Sequence, residues 1–335
     1  YALTAGSQPI RGGRTIRAEY LHRSKDLARW EYLHQFLEND HWGLVGDDGA
    51  CPYFWPIGPK HILLHFSHMS GGKYMLGDYD TARDKFVVTG GGDFNFGPVA
   101  PSGVHAPSAV PDGKGGIIAI FNMNPGMATK GWNQIMTLPR RLTLAGTSDL
   151  AIEPVAAVTS LRRSHVRVGK TTLPANQEVV LPGVAGNAME IDAEFEPSGA
   201  GVIELNVLRA PGREEVTRIQ FYRNRGYVNR DAKQQSSALS IDSSSSSTLP
   251  GVRLRVPETA SFFVGPDEPL RLRVFVDRSV VEVFANGRQC AAVRVYPGRP
   301  DSVGVSLRSQ GSETVLTSLD AWQMADIYRG LKPAP

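Results

Sequence analysis

The chain has little cysteine, little net charge and no long hydrophobic run. Cys51 and Cys290 are its only cysteines, and they fall in different halves of 335 residues, which argues against a disulfide framework. Lys and Arg number 36 against 33 Asp and Glu, so the net charge of +3 gives no electrostatic signature of a nucleic-acid or membrane-surface partner. The longest apolar runs are too short to span a bilayer. We therefore expect neither a nucleic acid nor a membrane as partner.

Helical patterning is also scarce. Only residues 25–40 show a loose three-to-four spacing of apolar side chains, and the same segment also fits a strand at Trp30-Glu31-Tyr32 after a turn at Ser24-Lys25-Asp26. Elsewhere, short apolar runs are separated by Gly-Gly, Asp-Gly and Asn-Pro-Gly breaks. These runs are 61–66, 73–79, 85–89, 117–121 and 135–138. Short strands without intervening helices indicate an all-β sandwich, barrel or propeller.

The length predicts two domains, at roughly 150 residues each. Composition changes near 159–169, and beyond that point residues 188–195 alternate with the period of a half-exposed strand. Ser243–Ser247 has the composition of a flexible linker. Residues 239–242 before it and 252–256 after it both look like strands, which favours a strand-to-loop segment inside one domain.

The most informative stretch is residues 271–297, RLRVFVDRSVVEVFANGRQCAAVRVYP. Two valine-rich runs flank Asn286-Gly287, a dipeptide that is the strongest short-range signal for a hairpin turn. The pattern predicts a half-buried antiparallel hairpin. Such a hairpin is structural and carries no chemistry of its own.

The same stretch resembles the C-terminal β-sandwich of glycoside hydrolase family 32, through V-D-x-S-x-x-E-V-F, then N-G, then strand residues leading to Y-P. That family contains invertases, inulinases, levanases and fructan transferases. The resemblance covers nearly the whole chain. It implies an all-β fold, with later blades of a five-bladed β-propeller over 1–158 and a β-sandwich over 160–335. It implies an oligo- or polysaccharide substrate (sucrose or a fructan) and no cofactor or metal.

Residues 46–57 read as a turn followed by a proline-bounded aromatic strand, for which plain edge-strand packing is the alternative. They resemble the family's Glu-Cys-Pro-Asp-Phe-Phe-Pro-like element, which carries the general acid/base on its Glu. Ala50 stands at that position and Tyr53 replaces the Asp. A retaining glycosidase needs two carboxyl groups, and a methyl group replaces neither. Asp48 is the substitute to weigh. On an extended strand it shares a face with Ala50 but lies roughly 6–7 Å away, and Asp47-Asp48-Gly49 also reads as a turn.

The family's other two carboxylates belong to motifs that this sequence does not contain. Arg83-Asp84-Lys85 lacks the proline of the Arg-Asp-Pro motif and follows the Cys51-Pro52 element instead of preceding it. Residues 1–32 resemble the strands that come just after that motif. We therefore expect the chain to be the later part of a longer protein, with the nucleophile upstream and no activity in the chain alone. A non-catalytic fructan-binding homologue and a stand-alone binding module are the alternatives.

The resemblance also assigns sugar contacts. Residues 104–108 resemble a Tyr-Ala-Pro-Gln element, 120–124 a Gly-Trp-Met-Asn-like strand end, and 130–140 a Gly-Trp…Leu-Pro-Arg element. The implied substrate-binding residues are Cys51, Tyr53, Trp55, His105, Asn122 and Trp132. Core packing is the alternative for Trp132. For the parent protein an extracellular or periplasmic location is expected. Linkage specificity, hydrolysis versus transfer and oligomeric state stay open.

A group of histidines raises a metal hypothesis. His61 and His65 would share one face of a strand and His68 the other, and no carboxylate alternates with them. Structural or sugar-facing roles fit these residues better.

Overall fold

The protein is described by a computed structural model covering residues 1–197, 199–230 and 233–328. It consists of two compact units, Tyr1–Glu153 and Pro154–Pro335. The described residues are almost entirely β, with one short 3₁₀ helix at Ala156–Leu161. None of their helices has the length and apolarity to cross a membrane.

The first unit contains thirteen strands in three sheets. They are β1 (Ala2–Ile10), β2 (Arg14–Arg23), β3 (Glu31–Gln35), β4 (Leu37–Glu38), β5 (Ala50–Ile57), β6 (Lys60–Ser67), β7 (Gly71–Asp80), β8 (Lys85–Asp93), β9 (Val104–Pro111), β10 (Ile117–Met123), β11 (Ile135–Met136), β12 (Arg140–Ala145) and β13 (Asp149–Pro154). The sheets run β1-β2-β3, β4-β8-β7-β6-β5 and β11-β10-β12-β13, with β9 also paired to β10. The β4–β8 pair is parallel, whereas β1–β2, β2–β3, β5–β6, β6–β7, β7–β8, β9–β10, β10–β11 and β10–β12 are antiparallel.

The first two sheets share an apolar layer. On β2, residues two apart point to the same face, so Leu21 follows Glu19 and Arg17 on one side of the strand. Leu21 packs in a buried cluster with residues from the second sheet and the segments beside it. The cluster comprises Leu21, Phe36, Leu63, Met75, Phe86 and Val88. Towards Arg17 the same layer becomes polar.

Residues 25–40 form strands β3 and β4, so the strand alternative of the two sequence interpretations is the right one. The turn before β3 is held by side chains: Ser24 Oγ accepts from the amide of Leu27 at 2.8 Å, and Asp26 Oδ1 accepts from those of Ala28 and Arg29 at 2.9 and 2.8 Å. Ser and Asp side chains commonly stabilise turns in this way, in competition with helix formation.

The second unit contains two large antiparallel sheets and one small one. Its strands are β14 (Arg162–Val168), β15 (Thr171–Leu173), β16 (Glu178–Ala185), β17 (Ala188–Phe195), β18 (Val202–Arg209), β19 (Thr217–Tyr222), β20 (Val228–Asn229), β21 (Gln234–Gln235), β22 (Ser237–Asp242), β23 (Glu258–Phe262), β24 (Leu270–Asp277), β25 (Val280–Ala285), β26 (Gln289–Arg294), β27 (Gly304–Gln310) and β28 (Thr314–Met324). One sheet runs β14-β28-β17-β24-β25-β26, with β15 on β28, and the other runs β16-β27-β18-β19-β22-β23. Alternate residues are fully buried along strands such as β24, as sandwich packing requires.

The valine-rich stretch contains one turn more than the sequence analysis predicted. The hairpin at Asn286-Gly287 joins β25 to β26, and both residues have positive φ, as tight hairpin turns require. What looked like one preceding run is two strands, β24 and β25, joined at Arg278-Ser279 with Asp277 opposite Val280. Arg278 also adopts positive φ, which composition alone did not indicate.

The serine-rich segment lies within the second unit, but one of its predicted flanking strands is absent. Residues 239–242 are part of β22, whereas residues 252–256 are not a strand. Leu254 and Val256 are exposed, and β22 pairs with β23 instead, so the edge position that 252–256 would need is occupied.

Candidate active site around Ala50

A β-bulge distorts the first strand of the Cys51-Pro52 element. Ala50 lies opposite Phe66 and Tyr53 opposite Leu64, so two residues of β5, Cys51 and Pro52, face one residue of β6. Cys51 has a positive φ of 52°, and Pro52 has no amide hydrogen to contribute to the ladder. The extra residue places Ala50 and Tyr53 on one face of the sheet although they are three apart in sequence.

Aromatic rings surround the Ala50 position. Phe66 lies directly opposite Ala50 and therefore on the same face. The Phe66 ring centroid is 4.7 Å from that of His68 and 5.8 Å from that of His105 on β9. His105 in turn pairs with Asn122 on β10. The structure thus brings together Ala50, His105 and Asn122 from three separate sequence motifs.

Asp48 lies just before β5 and binds the residue that follows β6. Its Oδ1 accepts from the backbone amide of His68 at 3.0 Å, and its Oδ2 is 2.5 Å from His68 Nδ1. Burial raises the pKa of Asp48, but the side-chain and backbone hydrogen bonds from His68, with its charge, outweigh this and hold the pKa below the usual value. Asp48 is therefore an ionised partner of a histidine.

His105 has the opposite electrostatic setting. Burial lowers its pKa, and the charge of the neighbouring His68 adds to that lowering. The lowered pKa favours the neutral imidazole, which can donate to or accept from a bound molecule.

Arg17, Glu19 and Asp40 form a largely buried ionic cluster next to Gly49, which the sequence analysis did not predict. Arg17 Nη1 donates to Glu19 Oε1 at 2.8 Å and Nη2 to Asp40 Oδ2 at 2.6 Å. Gly49, at φ +57°, is in close contact with the pair: a Cβ there would be 2.9 Å from Glu19 Oε1. The alternation of Arg17, Glu19 and Leu21 on one strand face was the available signal.

Glu19 is unusual among the carboxyl groups of this unit. It is 1% exposed, and its Oε2 has no hydrogen-bond partner among the residues that the structure describes. Burial raises its pKa to about 7, against the opposing charge and hydrogen bond of Arg17. Glu19 is therefore a titratable group close to the site, but because it is buried it cannot contact a ligand.

The remaining predicted contacts lie further from Ala50. Trp55 sits opposite Ile62, four residues along β6 from Phe66, which is roughly 13 Å at the usual strand rise. Its Nε1 donates to the carbonyl of Ala109 at 3.2 Å. Trp132 is 48% exposed in the connection between β10 and β11, so the core-packing alternative does not describe it. The thiol-bearing Cys51 is exposed and free.

The histidines of β6 do not form a metal centre in the described part of the chain, where no group of three His, Cys, Asp or Glu side chains is placed to hold an ion. His65 is buried, and its pKa is lowered far below the usual value by burial and by the charges of Arg17 and Lys73. His61 stacks on Phe54 with centroids 5.0 Å apart. Both are packing residues.

Two family models match the chain. "Glycosyl hydrolases family 32 N-terminal domain" matches residues 10–154, and "Glycosyl hydrolases family 32 C terminal" matches residues 157–323. Together they cover most of the sequence and confirm the family predicted from the motifs.

Curated relatives carry names from the same family. The chain is 26% identical over 385 residues to the insoluble β-fructofuranosidase isoenzyme CWINV5 of Arabidopsis thaliana, covering 97% of this chain and 65% of the relative. It is 26% identical to a levanase of Bacillus subtilis, covering 92% and 47%, and 25% identical to a fructan 1-exohydrolase of Hordeum vulgare, covering 92% and 60%. The chain therefore spans less than two thirds of these relatives.

Solved structures establish the fold. Fructan 1-exohydrolase IIa from Cichorium intybus superimposes with a TM-score of 0.80 at 17% identity, over 97% of this chain and 69% of that one. An exo-inulinase from Aspergillus awamori gives a TM-score of 0.72 at 17% identity, over 94% and 65%. The predicted all-β fold, part of a five-bladed β-propeller followed by a β-sandwich, is confirmed, and the chain belongs to glycosyl hydrolase family 32.

Proposed function

We propose that the protein to which this chain belongs is a glycoside hydrolase that cleaves β-fructofuranosides (sucrose, inulin or levan) by a retaining double displacement. The observation that carries the proposal is the match of both family models in chain order over residues 10–323. Relatives named β-fructofuranosidase, levanase and fructan exohydrolase support the same substrate class. A structure of the Cichorium enzyme in complex with 1-kestose adds a fructan ligand within the fold.

In this proposal the chain alone is inactive. The nucleophile and the transition-state stabiliser of the family precede the segment that resembles residues 1–32, and Ala50 occupies the general acid/base position. A retaining mechanism requires a carboxylate to attack the anomeric carbon and a second group to protonate the leaving oxygen. The first of these is supplied from outside the chain.

The residues proposed to contact sugar fall into two groups. Tyr53, His105 and Asn122 lie near Ala50, where amide, imidazole and phenol groups can bind hydroxyls of a fructosyl unit. Trp55 and Trp132 lie further off and suit stacking against later units of a longer substrate. Cys51 contributes through its backbone in the bulge.

A second candidate function is a non-catalytic fructan-binding homologue. Ala50 is the specific observation that favours it, since loss of the acid/base carboxyl removes a group worth typically 10²–10⁴ in rate. A binder would keep the aromatic and amide contacts and lose turnover.

Assays of the chain and of its full-length parent separate the two functions. Purified parent should release reducing sugar from sucrose or inulin, whereas the 335-residue chain should not. Ala50→Glu in the chain alone is the matched control and should remain inactive, because the nucleophile is still missing. If the parent binds an inulin oligosaccharide in a titration but releases no sugar, the binding homologue is the better description.

The family relationship also bears on location. Relatives include enzymes named as insoluble and cell-wall isoenzymes. We propose an extracellular or periplasmic location for the parent, which secretion of the tagged full-length protein would test.

A further inference from the structure

The position that the family fills with a general acid lies beside an exposed histidine. His68 follows β6 by one residue, and β6 is the strand directly paired with the start of β5. Neighbouring strands lie about 4.8 Å apart, Phe66 is the cross-strand neighbour of Ala50, and the ring centroids of Phe66 and His68 are 4.7 Å apart. The side chain of His68 and that of a glutamate at position 50 could therefore reach the same bound oxygen.

The histidine is held in a defined orientation. Two hydrogen bonds, one from its backbone amide and one at Nδ1, join residue 68 to the single carboxylate of Asp48. With Nδ1 bound, Nε2 is the nitrogen left to exchange a proton with a ligand, and 69% of the side chain is exposed. A carboxylate that binds one imidazole nitrogen fixes the tautomer and stabilises the imidazolium, as in catalytic triads.

The other acids near Ala50 are not available. Glu19 is buried and paired with Arg17. Asp47 is also buried; its Oδ2 accepts from the amide of Leu44 at 2.8 Å, and its Oδ1 from Ser70 Oγ at 2.7 Å. Both oxygens of the Asp48 carboxylate are hydrogen-bonded to His68. Among these neighbours, the exposed group that can give up a proton is the imidazole.

We propose that His68 is the general acid/base of this protein, taking the role that Ala50 vacates, with Asp48 as its positioning residue. This inference rests on the proposed glycosidase function. In the first step the His68 imidazolium gives its Nε2 proton to the glycosidic oxygen as the C2–O bond breaks. The leaving group departs as an alcohol, and an upstream carboxylate bonds to C2. In the second step neutral His68 takes a proton from water, whose oxygen bonds to C2 while the carboxylate leaves.

The groups facing His68 suit this cycle. Asp48 is ionised and stabilises the imidazolium, whereas His105 is kept neutral by burial and does not oppose it. Phe66 covers one side of the ring.

The test uses the full-length parent with two variants and a matched control. His68→Gln should lower kcat/KM for sucrose by 10²–10⁴, and by much less for an activated aryl fructoside, whose leaving oxygen needs little protonation. The alkaline limb of the pH profile should disappear with the histidine. Asp48→Asn should move that limb to lower pH. His165→Gln is the control: it removes a histidine of the second unit whose Nε2 lies 2.6 Å from Asp320 Oδ1, and it should leave kcat/KM for both substrates unchanged.

Restoring the family residue completes the test. Ala50→Glu in the His68→Gln background should recover sucrose hydrolysis, which also shows that the variant folds. If His68→Gln behaves like His165→Gln while the parent hydrolyses sucrose, the inference is wrong and the glycosidase proposal stands. If the parent is inert towards both substrates and becomes active only with Ala50→Glu, His68 does not act as the acid. If the parent is inert with and without that change, the glycosidase proposal itself fails.

Discussion

Two buried carboxyl groups, Glu19 in the first unit and Glu215 in the second, have pKa values shifted in opposite directions. In the propeller unit, Glu19 is bonded to Arg17 through one oxygen, while the other has no partner among the described residues, and burial raises its pKa to about 7. In the sandwich unit, Glu215 is buried too, and burial again raises its pKa. There, however, hydrogen bonds from Ser302 and from backbone amides outweigh burial and bring the pKa to about 2.

The bonds to Glu215 connect distant parts of the sandwich. Oε1 accepts from the amide of Thr248 at 2.7 Å and that of Gly298 at 2.8 Å, and Oε2 accepts from Ser302 Oγ at 2.7 Å. A carboxylate with this many donors is stable as an ion. The comparison therefore contrasts two carboxyl groups: Glu215 accepts hydrogen bonds at both oxygens, whereas Glu19, close to the candidate site, keeps one oxygen without a partner among the described residues.

The largest expected difference between the units is resistance to proteolysis. Tyr1, Trp30 and Tyr32 are exposed in or directly beside the β1-β2-β3 sheet of the first unit, and β1 and β3 are the edge strands of that sheet. Limited digestion of the chain should remove the first unit and leave a fragment beginning within residues 154–169, identified by mass spectrometry. Equal survival of both units would contradict this expectation and would argue that the first unit is a complete domain.

Glu215→Ala should destabilise the sandwich by about 4 kcal/mol, because it leaves several buried donors unpaired. Trp322 is the only tryptophan of the second unit, so its fluorescence during urea unfolding of a sandwich fragment reports this change. The exposed neighbour Glu214 provides the control: Glu214→Ala should change stability by less than about 0.5 kcal/mol.

Glu215 should also make the stability of the sandwich depend on pH in the acid range. Its pKa is lower in the folded state, so its contribution is complete above about pH 4.5 and is lost as the pH falls towards 2. A sandwich whose stability is flat from pH 5 to 2 would contradict this assignment.

Because of Glu19, the stability of the propeller unit should change with pH in the direction opposite to that expected for the sandwich. Glu19→Gln should abolish this change. The folded state raises the pKa of Glu19 from 4.5 to about 7, so its contribution is complete below pH 4.5 and is lost as the pH rises to 7. The loss is about 3 kcal/mol for the native residue and should vanish in the variant. Urea unfolding at pH 4.5 and 7.5, followed by the tryptophans of the first unit, measures it.

Glu31→Gln is the matched control for that experiment, since Glu31 is exposed and forms an exposed ion pair with Arg23. It should leave the pH dependence of the native unit unchanged. If Glu19→Gln also leaves the pH dependence of stability unchanged, the Arg17 charge holds Glu19 ionised throughout, and the contrast between Glu19 and Glu215 disappears.

Much of the fold could be predicted from the sequence because strand periodicity and turn dipeptides are local signals. Runs such as 61–66 and 117–121 match β6 and β10 within two residues, and Asn286-Gly287 marks a real hairpin. The β24–β25 turn was missed because arginine at positive φ gives no compositional signal. Residues 252–256 look like a strand but are not one, because pairing depends on which segment occupies the sheet edge.

The site was less predictable, for a physical reason. The motif located Ala50, and spacing on an ideal strand placed Asp48 some distance from it. The contact that gives Asp48 a role is with His68, twenty residues later in the chain. Such a pairing depends on the register of β5 with β6, and that register contains a bulge. The Arg17–Glu19 pair was missed likewise, since burial of two charges is visible only after the sheets pack.

The bulge at Cys51-Pro52 has a consequence for comparing sequences within the family. It adds one residue to β5 without changing which face Ala50 and Tyr53 occupy. Removing one of the two bulge residues would restore a regular ladder and leave both side chains facing as before. A one-residue gap at this point in an alignment would therefore be structurally silent. A gap anywhere else along β5 would turn every side chain beyond it to the opposite face.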